Sequence, residues 1–142
     1  MNPTHCVSNN LHQTARAVTR IYAECLRPAG LHRSQFSVLS MVKKHGPIAV
    51  SGLAARLVMD RTTLTRNLKP LETAGWVKRQ TDGEDARVKL VAITRTGAAK
   101  FTQALKLWRQ AQTRVIEQIG ETEWRELEAT LADLRGLIAG LE

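Results

Sequence analysis

Residues 60–68 read Asp-Arg-Thr-Thr-Leu-Thr-Arg-Asn-Leu, and this stretch decides the fold. Asp60, or a neighbour, predicts the start of a helix, because an aspartate there can accept hydrogen bonds from the free amides of the first turn. Leu64, Leu68 and Leu71 follow at helical spacing and form one narrow apolar stripe. The outer side of the helix carries Arg61, Thr62, Thr63, Thr65, Arg66 and Lys69. One side therefore packs against a core, while the other can contact a ligand.

Pro70 lies inside this helix, which we expect to run to Gly75. Proline lacks a backbone donor and disfavours the α conformation at the residue before it, here Lys69. A kink or a weak last turn is therefore predicted. A shorter helix precedes, from Gly52 to about Val58, with Ser51 as its predicted cap. The two form a pair of short helices separated by a tight turn.

Three further elements are predicted upstream. Ile48-Ala49-Val50 is short and β-branched at two positions, which favours a minimal strand. Ser34 is the predicted cap of a helix that His45-Gly46-Pro47 ends. Between Leu11 and Leu26 apolar residues recur at spacings of 4, 3, 4 and 3, which indicates the stripe of a first helix.

Two segments downstream, residues 76–80 and 88–93, favour β structure and predict a hairpin. The loop between them is polar and charged. Asp85 and Arg87 stand two positions apart in this loop, so they can pair across it and hold the arginine side chain outward. The alternative is an ordinary surface ion pair, worth about 0 to 1 kcal/mol.

Two long helices complete the predicted fold. Thr94 caps the first, from about Arg95 to Gln118. The second carries apolar residues from Trp124 to Leu141 at spacings of 3, 4, 3, 4 and 3, a seam that requires a partner helix. The expected fold is mainly α with a small β-hairpin. We expect residues 1–142 to form one domain, with long helices in 1–30 and 95–142 and the helix pair and hairpin within 34–93.

The net charge of +8 and the pI near 10.2 favour a polyanionic partner. Lysine and arginine outnumber acids by 6 to 1 in residues 1–50 and by 10 to 5 in residues 51–100. Acids lead by 7 to 5 after residue 100. The basic excess therefore accompanies the helix pair and the hairpin. No apolar stretch approaches the roughly 18 residues that span a bilayer, and no secretory signal is visible, so a cytoplasmic protein without a membrane partner is expected.

The sequence contains no motif that indicates an enzyme or a metal site. It has no glycine-rich phosphate loop and no nucleophile with a nearby histidine, so no catalytic residue is assigned. The four histidines have no spacing typical of zinc, and neither a metal nor a cofactor is expected. Cys6 and Cys25 would stand about 30 Å apart on one straight helix, too far for a disulfide within a subunit.

Two short helices followed by a hairpin with a basic tip make the physical plan of a winged helix-turn-helix. The second helix of the pair fits the major groove of double-stranded DNA, where arginine can donate two hydrogen bonds to guanine. Arg79, Arg87 and Lys89 supply the cations of the hairpin, and Arg87 suits the negative potential of a narrow minor groove. The alternative is a protein-binding adaptor of the same fold, whose outer helix face should be apolar.

The chain resembles the multiple-antibiotic-resistance regulator (MarR) family over almost its whole length. The segments that carry the resemblance are Leu-Ala-Ala-Arg-Leu at 53–57, Arg-Thr-Thr-Leu-Thr-Arg-Asn-Leu at 61–68, Leu-Glu-Thr-Ala-Gly-Trp-Val-Lys-Arg at 71–79, Asp-Gly-Glu-Asp-Ala-Arg at 82–87 and Ile-Thr-Arg-Thr-Gly at 93–97. The resemblance implies a recognition helix at about 61–75 and a wing at about 80–88. It also implies that Arg87 enters the minor groove with Asp85 as its structural partner.

The same resemblance implies a homodimer built from the first helix and the last two. Twofold symmetry then predicts a pseudo-palindromic operator. Members of the family respond to small aromatic or phenolic effectors, and some respond to oxidants through a cysteine in the first helix. Cys6 is the candidate sensor here, although it lies about two residues before the position that the resemblance predicts. A transcriptional repressor is expected, but the sequence leaves activation open.

Overall fold

Six α-helices and three β-strands follow one another in residues 1–141, the part of the chain that the computed structural model describes. Glu142, the last residue of the predicted domain, lies outside the described residues. Short 3₁₀ turns cover Pro3–His5 and Arg27–Ala29. The helices are α1 (Val7–Leu26), α2 (Arg33–His45), α3 (Val50–Leu57), α4 (Arg61–Thr73), α5 (Arg95–Ile119) and α6 (Glu121–Ala139). The strands are β1 (Ile48–Ala49), β2 (Val77–Thr81) and β3 (Lys89–Ile93).

The three strands form one antiparallel sheet in the order β1-β3-β2. In the central strand, Val91 lies opposite Ile48 on one side and Arg79 on the other. The predicted fold class, mainly helical with a small hairpin, is confirmed. The predicted minimal strand is present too, and it joins the hairpin as a third strand.

The core lies where α2, α3 and α4 pack on this sheet. Fully buried aliphatic side chains come from each of these elements and from the end of α1, and Phe36 stacks on Phe101 of α5. The buried aliphatic residues with no exposed surface include Leu26, Val38, Leu39, Val42, Leu53, Leu64, Leu68, Leu71 and Val91. Burial of the leucine stripe therefore fixes the orientation of α4, so that the opposite face of this helix is exposed to solvent.

Three helix starts differ from the sequence predictions. α1 begins at Val7, four residues before the predicted stripe. α2 is capped by His32 and not by Ser34, because the Gln35 side chain accepts a hydrogen bond from the His32 amide (3.1 Å). α3 is capped by Ala49 and not by Ser51, because Ala49 still pairs with Leu90 and the chain turns helical directly after it.

Pro70 does not end α4, which continues to Thr73. The turn after the proline is closed by the Ala74 amide, which donates to the Pro70 carbonyl (3.0 Å). The last turn is therefore not weakened, and the kink that was the alternative stays a prediction. The helix ends at Thr73, two residues before the predicted Gly75, because the chain turns at Gly75 with φ of 73°. Since Pro70 is exposed, water can replace the donor that proline lacks.

The terminal helices pack less completely than the core. α1 lies against α5, and the Tyr22 hydroxyl donates a hydrogen bond to Gln112. α6 follows α5 after Gly120 and has no buried residue among those described. No helix within residues 1–141 has both the length and the apolar character required to cross a membrane.

Candidate nucleic-acid interface

The outer face of α4 is a polar, positively charged surface. Arg61, Thr62, Thr65, Arg66 and Lys69 are all exposed and share one shallow depression. The apolar stripe on the other side of the helix is completely buried. A helix seated in this way presents its outer side chains in fixed directions. The face lacks the apolar side chains that a protein-binding adaptor would present.

Asp60 holds the start of α4. Its carboxylate accepts hydrogen bonds from the Thr63 amide (2.7 Å) and the Thr63 hydroxyl (3.1 Å). These two bonds, the amide first, lower the pKa of Asp60. Thr63, one of the predicted DNA-binding residues, is consequently half-buried and engaged in this cap.

The wing is the hairpin formed by β2, β3 and the loop between them. At its tip, Asp85 accepts hydrogen bonds from the Arg87 amide (3.0 Å), from Nε (3.1 Å) and from a terminal guanidinium nitrogen (3.3 Å). The side-chain bonds from Arg87, followed by its amide, lower the pKa of Asp85. The Arg87 side chain is 91% exposed. The guanidinium is thus held in place and still accessible.

A positively charged groove of about 500 Å³ connects the wing with the start of α3 and α4. The groove is lined by Arg61 from α4, by Arg79, Arg87 and Lys89 from the wing, and by Ser51 from α3. The structure thereby brings together cations from two separate segments of the chain. A groove lined by these cations can bind a polyanion such as a DNA backbone.

One feature of the wing is not evident from the sequence. Arg79 Nε lies 2.5 Å from a carboxylate oxygen of Glu72 in the last turn of α4. The pair spans the turn between the helix and the wing, seven positions apart in sequence. Glu72 lies in a helix and Arg79 in a strand, so their contact depends on the turn between the two elements. Sequence analysis missed it because no spacing within a single helix or strand pair indicates it.

A separate cleft of about 400 Å³ lies where α1, α2 and α5 meet. Its walls include Val18, Tyr22, Phe36 and Trp108, and Arg33, Ser37 and Thr19 add polar groups. The Phe36 and Trp108 rings are stacked with centroids 6.1 Å apart. Burial, with a smaller contribution from Cys25, raises the pKa of Tyr22. This aromatic cleft therefore offers ring surfaces, a neutral phenol and one cation.

A second cleft of about 510 Å³ is almost wholly apolar. It lies between α1, α5 and α6, and its lining includes Leu11, Val115, Trp124, Leu127 and Leu131. The predicted seam of α6 contributes three of these residues. Three of its large apolar lining residues remain exposed, namely Leu11, Ile119 and Leu127.

The two thiols occupy different surroundings. Cys6 is exposed at the start of α1, and Cys25 is half-buried with Arg114 Nη1 at 3.7 Å from its sulfur. Both are free thiols. Within residues 1–141, no three histidine, cysteine or acidic side chains come close enough together to hold a metal ion.

A helix pair with a buried inner stripe, an exposed cationic outer face and a wing with an outward arginine define the class of winged helix-turn-helix proteins that bind DNA. Comparison with known proteins agrees with this class.

A sequence model of the MarR family matches residues 31–89. The uncharacterised HTH-type transcriptional regulator YwoH of Bacillus subtilis is 37% identical over 95 residues, which cover 67% of this chain and 69% of that protein.

Solved structures extend the match to nearly the whole chain. The Mycobacterium tuberculosis regulator MosR in complex with DNA is 33% identical, with a TM-score of 0.87 and coverage of 97% of this chain and 99% of that one. A variant of MarR from Escherichia coli in complex with operator DNA is 28% identical, with a TM-score of 0.82 over 90% of this chain and 92% of that one. The chain belongs to the MarR family. It is a DNA-binding transcription regulator and not an enzyme.

Proposed function

We propose that this protein is a homodimeric repressor that binds a pseudo-palindromic operator and is released from it by a small aromatic ligand or by an oxidant. The observation that carries the proposal is the groove shared by α4 and the wing, in which Arg61 and Arg87 face one continuous surface. A repressor must cover promoter DNA in one state and leave it in another. We expect it to act in the cytoplasm, where double-stranded DNA would be its partner.

Each side chain of the interface has a distinct role in this proposal. The outer face of α4 enters the major groove, where arginine and threonine contact base edges and Lys69 a phosphate. Arg87 enters the adjacent minor groove, where the negative potential is strongest. Lys89 lies on β3 beside it and neutralises the backbone. The proposed contact residues of α4 are Arg61, Thr62, Thr65, Arg66 and Lys69, with Thr63 supporting them through Asp60.

The occupant of the apolar cleft between α1, α5 and α6 is a second copy of this chain. Its apolar lining and the exposed residues around it would be costly in water. The heptad-like seam of α6 requires another helix, and residues after 100 carry the acidic surplus that suits an end directed away from DNA. Residues 1–30 and 95–142 are therefore the proposed dimerisation region, and residues 34–93 the DNA-binding region.

The aromatic cleft is the proposed effector site. Its stacked rings favour an aromatic ligand, and the position between α1 and α2 joins the dimerisation region to the DNA-binding region. A ligand that fits the cleft only when α2 is displaced would change the spacing of the two α4 helices. The oxidant alternative depends on Cys6, whose exposed sulfur is accessible to peroxide.

The test is a gel-shift titration of the purified protein against the intergenic DNA beside its own gene, at defined salt. Arg66→Ala should weaken binding and relax base preference, with each lost bidentate base contact costing about 1–3 kcal/mol. Arg87→Ala should weaken binding and leave major-groove preference nearly unchanged. Unchanged affinity in both variants would refute the proposed interface.

The signal is tested in the same titration with phenolic compounds and with peroxide. Release by a phenolic compound that Phe36→Ala abolishes would support the aromatic cleft as the effector site. Release by peroxide that Cys6→Ser abolishes and Cys25→Ser retains would support the oxidant. If neither treatment changes binding, the proposed release mechanism is wrong while the DNA interface stands.

A further inference from the structure

The ion pair between Glu72 and Arg79 joins the recognition helix to the wing. Glu72 lies in the last turn of α4, and Arg79 lies in the middle of β2. Their side chains are 30% and 39% exposed, and Nε and the carboxylate oxygen are 2.5 Å apart. Two half-exposed groups of opposite charge at this distance neutralise each other, so the pair adds no net positive charge to the DNA-facing surface.

Arg79 differs from the other wing arginine in what it can offer to DNA. The Arg87 side chain is 91% exposed, more than twice the exposed fraction of Arg79. A phosphate that approached the Arg79 guanidinium would also approach the Glu72 carboxylate. Repulsion between the two anions makes Arg79 a poor phosphate ligand, although it lines the groove with Arg61 and Arg87.

The backbone shows what the ion pair can fix. β2 follows α4 through a turn in which Gly75 has φ of 73° and the Trp76 amide donates to the Leu71 carbonyl (2.9 Å). Arg79 lies two residues after the buried Val77, on the face of β2 that turns toward α4. It also lies opposite Val91 in β3, the strand that leads back to Arg87. A clamp at Arg79 therefore sets the angle of the whole hairpin against the helix.

We propose that Glu72 and Arg79 are positioning residues, which hold the wing at the spacing that lets Arg87 reach the minor groove while α4 occupies the major groove. This inference rests on the proposed roles of α4 and Arg87. It changes the role that the sequence suggests for Arg79, from a DNA contact to a clamp within the subunit.

The two possible roles of Arg79, clamp and phosphate contact, predict opposite effects of Glu72→Gln on operator affinity. If Arg79 is a clamp, the variant binds the operator about threefold to tenfold more weakly, because the wing is no longer fixed. If Arg79 contacts a phosphate, the variant binds more tightly, because Arg79 is freed and one negative charge is removed. Glu84→Gln is the matched control, since it removes one acid from the neighbouring wing and the described residues supply no ion-pair partner for it.

Salt dependence and non-additivity separate positioning from a general loss of stability. Each phosphate contact contributes about 0.9 to the slope of log affinity against log salt. Lys69→Gln, which removes the proposed phosphate contact of α4, should reduce the slope. Arg79→Gln should lower affinity and leave the slope as in the Glu72→Gln protein. In the Glu72→Gln background, Arg87→Ala should reduce operator affinity by a smaller factor than it does in the wild type.

Three outcomes overturn the clamp. They are tighter binding by Glu72→Gln, a slope loss in Arg79→Gln equal to that of Lys69→Gln, and an undiminished effect of Arg87→Ala in the Glu72→Gln background. Urea unfolding of each variant verifies that the folded fraction is unchanged under the binding conditions. Failure of the proposed interface is distinguishable, because then Arg66→Ala and Arg87→Ala would leave binding unchanged in the wild-type background.

Discussion

Asp60 and Asp85 show how two exposed carboxylates at one interface acquire different roles. Asp60 accepts its main hydrogen bond from a backbone amide at the start of α4, whereas Asp85 binds the guanidinium and amide of Arg87. The first carboxylate completes a helix end that would otherwise have a free donor. The second restricts one long side chain and so reduces the entropy that Arg87 would lose on entering DNA.

The lowered pKa of Asp60 predicts how the stability of the protein responds to acid. The folded pKa lies below the unfolded value of about 3.9, so the stabilisation is fully present above that value and is lost as the pH falls through the folded pKa. Asp60→Asn retains a capping side chain but no charge. We expect the difference in unfolding free energy between wild type and this variant to be largest at neutral pH and to shrink below pH about 4.

Urea titrations of both proteins at a series of pH values measure this difference. Asp85 and all other carboxyls are common to the two proteins, and their contributions cancel in the comparison. A difference that stayed constant down to the lowest pH would show that the charge of Asp60 does not contribute to the cap.

At the scale of elements, the start of α5 is fastened to the turn between α4 and the wing. Thr94 accepts from the Gly97 amide (3.0 Å) and donates to the Gly75 carbonyl (2.6 Å), and Lys100 lies 4.9 Å from the centre of the Trp76 ring. The Lys100 ammonium also donates to the Ala29 carbonyl (3.0 Å). The proposed dimerisation region and the proposed DNA-binding region thus meet at this turn.

Gly97 is required at this junction because a Cβ atom there would lie 1.9 Å from the Trp76 carbonyl oxygen. We expect Gly97→Ala to destabilise the protein by about 1–3 kcal/mol or more, since the backbone of β2 or α5 must shift. Gly136→Ala is the matched control, because nothing lies within 4 Å of a Cβ there and alanine favours a helix by about 0.5–1 kcal/mol. Thermal unfolding measures both, and equal melting temperatures would contradict the proposed close approach.

The sequence predicts those elements whose evidence is local. The Asp60 and Thr94 caps and the leucine stripe of α4 depend on residues three or four apart, and all are present. The start of α3 could not be predicted in the same way, because sheet pairing of Ala49 with Leu90 decides it. The aromatic cleft and the Glu72–Arg79 pair likewise depend on helix packing and turn geometry, which spacing in the sequence does not encode.

At the scale of the whole molecule, one subunit is incomplete in two complementary respects. Its wing and α4 form the proposed half of a symmetric interface, and its terminal helices leave an apolar cleft open. In the proposed dimer, a second copy would cover the cleft and place a second α4 helix about one DNA turn away. Dimerisation and operator binding should therefore be lost together when the cleft is changed.

Leu127→Glu tests this coupling. Leu127 lies on the seam of α6 and lines the apolar cleft, and it does not line the groove between α4 and the wing. A buried carboxylate at the interface would cost several kcal/mol, so we expect a monomer at micromolar concentration in sedimentation experiments. A monomer contacts one half-site and should lose most operator affinity while its circular dichroism at low temperature stays helical. The control is Ala129→Glu, on the other side of the same helix, which should remain dimeric and bind the operator normally. A Leu127→Glu monomer with wild-type operator affinity would show that dimerisation and operator binding are independent, which would contradict the symmetric arrangement.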